Sequence, residues 1–200
     1  LEPDCKMLFV GALGRMEMER VPQAGYEIVG LPVRGFNRAQ PWKNLSVLID
    51  LMRSMRMAKK IVRDFRPDMI FLDPARRAAD GRKVFRLQDC SPDVCALLPE
   101  LYGICPRLML KLSPMADISL LCRELQGLKE VHILGAGGEC KELLCLLERD
   151  WEGPVVINTA ELRFTAGELA AASVIVDDGI PQPGTLIFEP SAVLSKAGCY

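Results

Sequence analysis

The sequence predicts an α/β fold, a three-layer and mostly parallel sheet to which both ends of the chain contribute strands. Three observations predict it. From Asp68 onward, short apolar runs alternate with helix-length segments, the grammar of a doubly wound sheet. The run Met69-Ile70-Phe71-Leu72 stops abruptly in Asp73-Pro74-Ala75-Arg76-Arg77. A buried parallel strand reads this way when it delivers polar groups to the carboxyl edge of a sheet. Half of the 200 residues are hydrophobic and the net charge is −1, so a sizeable core is available and a disordered chain is excluded.

Charge divides the chain. Residues 1–67 carry 12 Lys/Arg against 7 Asp/Glu, a net of +5; residues 68–200 carry 13 against 19, a net of −6. Pro67 marks the seam, and two segments, 1–67 and 68–200, follow from it. No apolar run reaches membrane-spanning length, and the acidic start Leu1-Glu2-Pro3-Asp4 is not a signal peptide. With no initiator methionine, the sequence is expected to begin mid-protein. Eight cysteines include no CxxC pair, and the one histidine is His132. They read as reduced cytoplasmic thiols, mostly small core residues, rather than a metal site or disulfide framework. Cys–His nucleophilic catalysis stays open, although His132 inside Val131-His132-Ile133-Leu134 is more often structural.

In the first segment, Lys6–Gly11 reads as a short strand ending in a glycine turn. A brief helical stretch follows Gly14-Arg15-Met16-Glu17 and closes at Pro22 and Gly25. Tyr26–Val33 is a second strand and Arg34–Arg38 a polar loop. Asn44 caps a long helix, 45–65. Leu48, Met52, Met55 and Val62 form its apolar stripe, with Arg53, Arg56, Lys60 and Arg63 on another face. Such a helix, headed by Trp42, either covers a sheet or rests on an anionic membrane.

In the second segment, strand 69–72 leads through a polar connection to Ser91-Pro92-Asp93, which opens a helix to Leu101. Arg107–Leu112 is the next strand, followed by helix 117–125 and strand 130–134. Gly135-Ala136-Gly137-Gly138 lacks the spacings of a phosphate loop. Glu139–Glu148 suits either a helix or a buried strand. Val155–Asn158, Ser173–Val176 and Thr185–Phe188 are further strand candidates.

The Asp73 loop is the place to look for chemistry, because ligands of open α/β sheets sit at that edge. The alternative is an ordinary strand end, with Asp73 capping a turn and the arginines in water.

Gly11-Ala12-Leu13-Gly14-Arg15-Met16-Glu17, Val21-Pro22-Gln23-Ala24-Gly25-Tyr26 and Leu31-Pro32-Val33-Arg34-Gly35-Phe36 resemble the amino-terminal domain of MurG. That peripheral-membrane glycosyltransferase adds N-acetylglucosamine to lipid I. The resemblance covers residues 5–67. It places the family's first glycine-rich loop, with its catalytic histidine, before residue 5, and its second where Phe71-Leu72-Asp73-Pro74 stands here.

Asp73-Pro74-Ala75-Arg76-Arg77, Asp89-Cys90-Ser91-Pro92-Asp93, Leu110-Lys111-Leu112-Ser113-Pro114, Gly138-Glu139-Cys140-Lys141-Glu142 and Glu189-Pro190 resemble a bacterial class I S-adenosylmethionine-dependent methyltransferase carrying a THUMP-like domain. The resemblance implies a Rossmann-like sheet assembled here from two incomplete halves, with 69–72 as its fourth strand. It also implies a β-hairpin around the 135–138 glycines, and a THUMP-like part continuing past Tyr200. Asp73-Pro74-Ala75-Arg76 resembles the (Asp/Asn)-Pro-Pro-aromatic motif of amino-methylating enzymes. In those, the acid accepts hydrogen bonds from the target amine and the aromatic stacks on the base. The resemblance therefore implies Asp73 and Pro74 as catalytic residues, with Arg76, Arg77 and Lys111 holding an anionic substrate.

Three readings follow: a methyltransferase-like chain acting on RNA or another cytoplasmic acceptor but inactive as this fragment, a MurG-type glycosyltransferase fragment, and a non-catalytic chimera. S-adenosylmethionine is the cofactor the first implies. Its binding by this chain is expected to be weak or nil, since the family's glycine-rich loop belongs where MurG-like sequence stands. Strand 69–72 is expected to be central and buried on both faces. Peripheral membrane contact through helix 45–65 and dimerisation through uncovered apolar surface are the expected associations.

Overall fold

The computed structural model describes residues 4–33, 44–74, 93–173, 179–187 and 189–199; for 44–48 it describes the backbone alone. It has two compact units, Leu1–Arg66 and Pro67–Tyr200.

In the first unit, β1 (Leu8–Ala12) and β2 (Glu27–Leu31) pair in parallel, joined through α1 (Glu17–Gln23). The turn between β1 and α1 uses Gly14 at φ +76, and Gly25 at φ +85 ends the helical stretch. The long helix α2 (Asn44–Phe65) follows. Its predicted apolar stripe is not the covered face, since Met52 and Met55 are more than half exposed. Ser54 is buried instead, with Met57, Ala58 and Ile61 half-buried at helical spacing from it. A serine and an alanine at these positions disguised that face in the sequence.

The second unit begins with β3 (Ile70–Leu72), then α3 (Val94–Ile104), β4 (Arg107–Leu112), α4 (Ile118–Glu124), β5 (Leu128–Ala136) and β6 (Glu139–Glu148). Asp93 and Asp117 cap α3 and α4 by accepting from the amides of Ala96 and Leu120. After β7 (Val156–Asn158) and β8 (Arg163–Thr165) come the short helices α5 (Ala166–Ala171) and α6 (Ala192–Ala197). Sequence reading missed β8, α5 and α6, which span only three to six residues and show no full period.

These strands form one sheet in the order β3-β4-β6-β5-β7-β8. Neighbours β3–β4 and β5–β7 are parallel; β4–β6, β5–β6 and β7–β8 are antiparallel. The glycines at 135–138 do turn a β5–β6 hairpin, with Gly137 and Gly138 both at positive φ. Glu139–Glu148 is therefore a strand. Its alternation of covered and partly exposed residues settles the ambiguity of its apolar run.

The core lies on one face of this sheet. Leu108, Leu110, Leu112, Val131, Ile133, Leu143, Cys145, Leu147 and Ile157 pack there against Val94, Leu98, Ile118, Leu121 and Val193. Cys105 and Cys145 are core thiols as expected, whereas Cys5 is exposed.

The α/β class is as predicted, with three corrections to its details. The strands fall into two sheets rather than one. Among the described strands β3 is terminal in its sheet, not central, and Phe71 is 55% exposed while Ile70 and Leu72 turn to the core. An apolar run of four residues does not reveal whether its second face is covered. Third, Thr185–Ile187 is not a strand, and Leu186 is almost fully exposed. The expectations for 34–38, Trp42, Cys90, Ser91-Pro92, 174–176 and Phe188 lie outside the described residues.

Candidate functional site

Asp73 is the first residue after β3, and Pro74, buried behind it, fixes the direction in which the chain leaves the sheet. The parallel register pairs Leu72 with Leu110, so Asp73 comes level with Lys111 on β4. Lys111 is in turn registered against Leu144 on β6, with Glu142 two residues away on the same face. Neighbouring strands thus carry three charged side chains to one place. Lys111 Nζ lies 2.6 Å from Asp73 Oδ2 and 3.9 Å from Glu142 Oε2.

This cluster is on the face opposite the packed helices, since Leu110 and Leu112 on either side of Lys111 are core residues. All three side chains are one-third to one-half exposed, so a ligand can reach them from water. An ion pair so exposed contributes about 1 kcal/mol or less. The arrangement has one exposed carboxylate able to accept N–H groups from a ligand, and one ammonium already engaged with it.

Along the same register row, Leu144 is opposite His132 and His132 opposite Asn158. His132 Nε2 lies 3.0 Å from Glu130 Oε2, which also accepts from Asn158 Nδ2 at 3.1 Å. The histidine is held by a carboxylate within the sheet, the structural place expected for it. Among the described residues, no group of three or more His, Cys, Asp or Glu could hold a metal ion.

Of the five residues singled out, the structure brings Asp73 and Lys111 into contact and sets Pro74 beside them. Arg76 and Arg77 lie outside the described residues. Lys111 was expected to face an anionic substrate, but it faces two carboxylates, because strand register sets it between β3 and β6. Glu142 carried no role in the sequence reading. The alternation Glu142-Leu143-Leu144 would have put it on the Lys111 face, had the strand assignment of 139–148 been certain.

No protein-family model matches the chain. Curated relatives match about a third of it. The UDP-N-acetylglucosamine–N-acetylmuramyl-(pentapeptide) pyrophosphoryl-undecaprenol N-acetylglucosamine transferase of Bacteroides thetaiotaomicron is 61% identical over 69 residues, and the Porphyromonas gingivalis (strain ATCC 33277) transferase of the same name is 60% identical over 68. Each match covers 34% of this chain and 18% of the relative, so the chain spans under a fifth of their length. Among solved structures, a candidate methyltransferase of P. gingivalis W83 superposes with a TM-score of 0.62 at 24% identity, over 97% of this chain and 52% of that one. The likeness is one of fold, an α/β fold shared with that protein. Both resemblances read from the sequence are thus supported, one by identity and the other by fold.

Within β1, a Cβ at Gly11 would meet Glu17 Cγ at 2.8 Å, and Glu17 Oε1 accepts from the Ala12 amide at 3.4 Å.

Proposed function

We propose that Pro67–Tyr200 is the acceptor-binding half of a methyltransferase-type protein acting on an amino group of RNA or another cytoplasmic acceptor, and that this chain taken alone does not turn over. The observation that carries the reading is the exposed Asp73 carboxylate at the carboxyl end of β3, beside the buried Pro74. In that role Asp73 accepts hydrogen bonds from the target amine, and the sheet edge positions it. Arg76 and Arg77, three and four residues further on, would grip phosphate. The fold likeness supports this assignment. The buried Cys105 and Cys145 thiols agree with a reducing compartment. No helix among the described residues is long and apolar enough to cross a membrane. S-adenosylmethionine, the parent family's cofactor, is expected to bind weakly or not at all.

The test compares the parent chain with Asp73→Ala for binding of bulk RNA and for methyl transfer from labelled S-adenosylmethionine. The reading expects weaker RNA binding by the variant and background incorporation by both. Equal RNA binding would remove Asp73 from the site, and micromolar cofactor binding by calorimetry would overturn the cofactor part.

The high identity to the N-acetylglucosamine transferases favours a second reading for the first unit, as a piece of such a peptidoglycan enzyme. On α2, exposed Met52 and Met55 stand beside exposed Arg53, Arg56, Lys60 and Arg63, a face suited to an anionic membrane surface. Co-sedimentation with anionic but not neutral vesicles would support it. A chimera without activity is the third reading, and inactivity in both transferase assays together with RNA binding unchanged by Asp73→Ala would favour it.

A further inference from the structure

Lys111 is a four-carbon stem with an ammonium that has two carboxylates within reach, and it sits nearer one than the other. Its Nζ is 2.6 Å from Asp73 Oδ2 and 3.9 Å from Glu142 Oε2. The three residues come from β3, β4 and β6, so the backbone fixes the spacing between the two seats while the lysine stem is free to turn. The near seat is the carboxylate proposed above as the acceptor of the target amine.

We propose that Lys111 is a built-in occupant of the acceptor position, whose transfer from Asp73 to Glu142 opens that position to a neutral amino group. The inference rests on the reading of Asp73 as the amine-binding residue. An ammonium and an exocyclic NH₂ present the same kind of donor to a carboxylate, so a ligand amine seated on Oδ2 competes with Lys111 for that oxygen. A ligand without an N–H donor leaves Lys111 in place. One with a donor displaces it, and Glu142 lowers the cost by receiving the charge. The closeness of the two seats keeps that exchange small in energy, since a half-exposed pair is weak. Lys111 thereby selects for ligands that donate to Asp73, and Glu142 acts as a positioning residue for the displaced lysine.

The test has two independent arms on the full chain. In the first, acylation of Lys111 is followed by mass spectrometry in the parent, Asp73→Asn and Glu142→Gln proteins. Lys111 should become several-fold more reactive in Asp73→Asn and change less in Glu142→Gln. Equal reactivity in parent and Asp73→Asn would overturn the pairing. In the second, adenosine and cytidine are titrated by NMR against their deaminated counterparts inosine and uridine. Lys111→Met, with Lys111→Gln as a second variant, should bind the amino nucleosides about threefold to fivefold tighter than the parent, with no gain for the deaminated pair. Glu142→Gln should weaken binding of the amino nucleosides alone. Preference for amino nucleosides without any gain in the Lys111 variants would overturn the gate while leaving Asp73 as acceptor. No preference in any variant would overturn the acceptor reading, and the gate with it.

Discussion

Asn158 Nδ2 donates to Glu130 Oε2 across 3.1 Å, joining β7 to β5 where these strands are in register for only three residues. His132 Nε2, 3.0 Å from the same oxygen, shares it. Glu130→Ala should therefore lower stability by about 1–2 kcal/mol, through two partners left without their acceptor. Urea melts of Glu130→Ala, Asn158→Ala and the double variant check it. Additive effects would show that the two residues do not interact.

Asp73→Ala should change stability by about 1 kcal/mol or less, because the Lys111 pair is half-exposed. Its effect belongs to ligand binding. A drop in melting temperature comparable to that of a core deletion would make Asp73 a structural turn residue instead.

Leu110 is fully buried on β4, whereas Phe71 on the neighbouring strand is 55% exposed. Leu110→Ala should cost about 2–5 kcal/mol. Phe71→Lys should leave stability within about 1 kcal/mol of the parent. It should also reduce concentration-dependent association in sedimentation velocity, since a charge on a terminal strand discourages pairing between edges. Unchanged association would place any dimer contact elsewhere.

Burial pushes the Cys145 thiol up from 9.0 to about 12. In the unfolded chain the thiol ionises near its ordinary value, while in the folded chain it stays neutral. The stability it contributes is fully present below pH 9 and is lost as pH rises towards 12. Denaturant melts over that range should show a shallower alkaline decline for Cys145→Ala than for the parent. Parallel curves would remove Cys145 as a cause.

The sequence was most legible where backbone and side-chain signals agreed. Arg107–Leu112 was placed to the residue, and Asp93 and Asp117 mark helix starts because their side chains cap them. Legibility failed where the answer depended on a partner strand. Nothing local to Met69–Leu72 says that its strand ends the sheet, and nothing local to Lys111 says that register sets it between Asp73 and Glu142. Asp73-Pro74 is legible as a candidate site because it breaks an apolar run. The placing of Lys111 between two carboxylates was not legible, because it is a property of three strands together.

β3 is in register with β4 only from Ile70 to Leu72, while β4 and β6 are in register from Arg107 to Leu112. So short a ladder opens at lower free energy than the rest of the sheet, and its amides should exchange with deuterium ahead of those of β4 and β6. Asp73 leaves whenever that strand frays. Ligand affinity at this edge is then reduced by the fraction of time the strand is detached, so any partner that pins β3 tightens binding without touching the ligand.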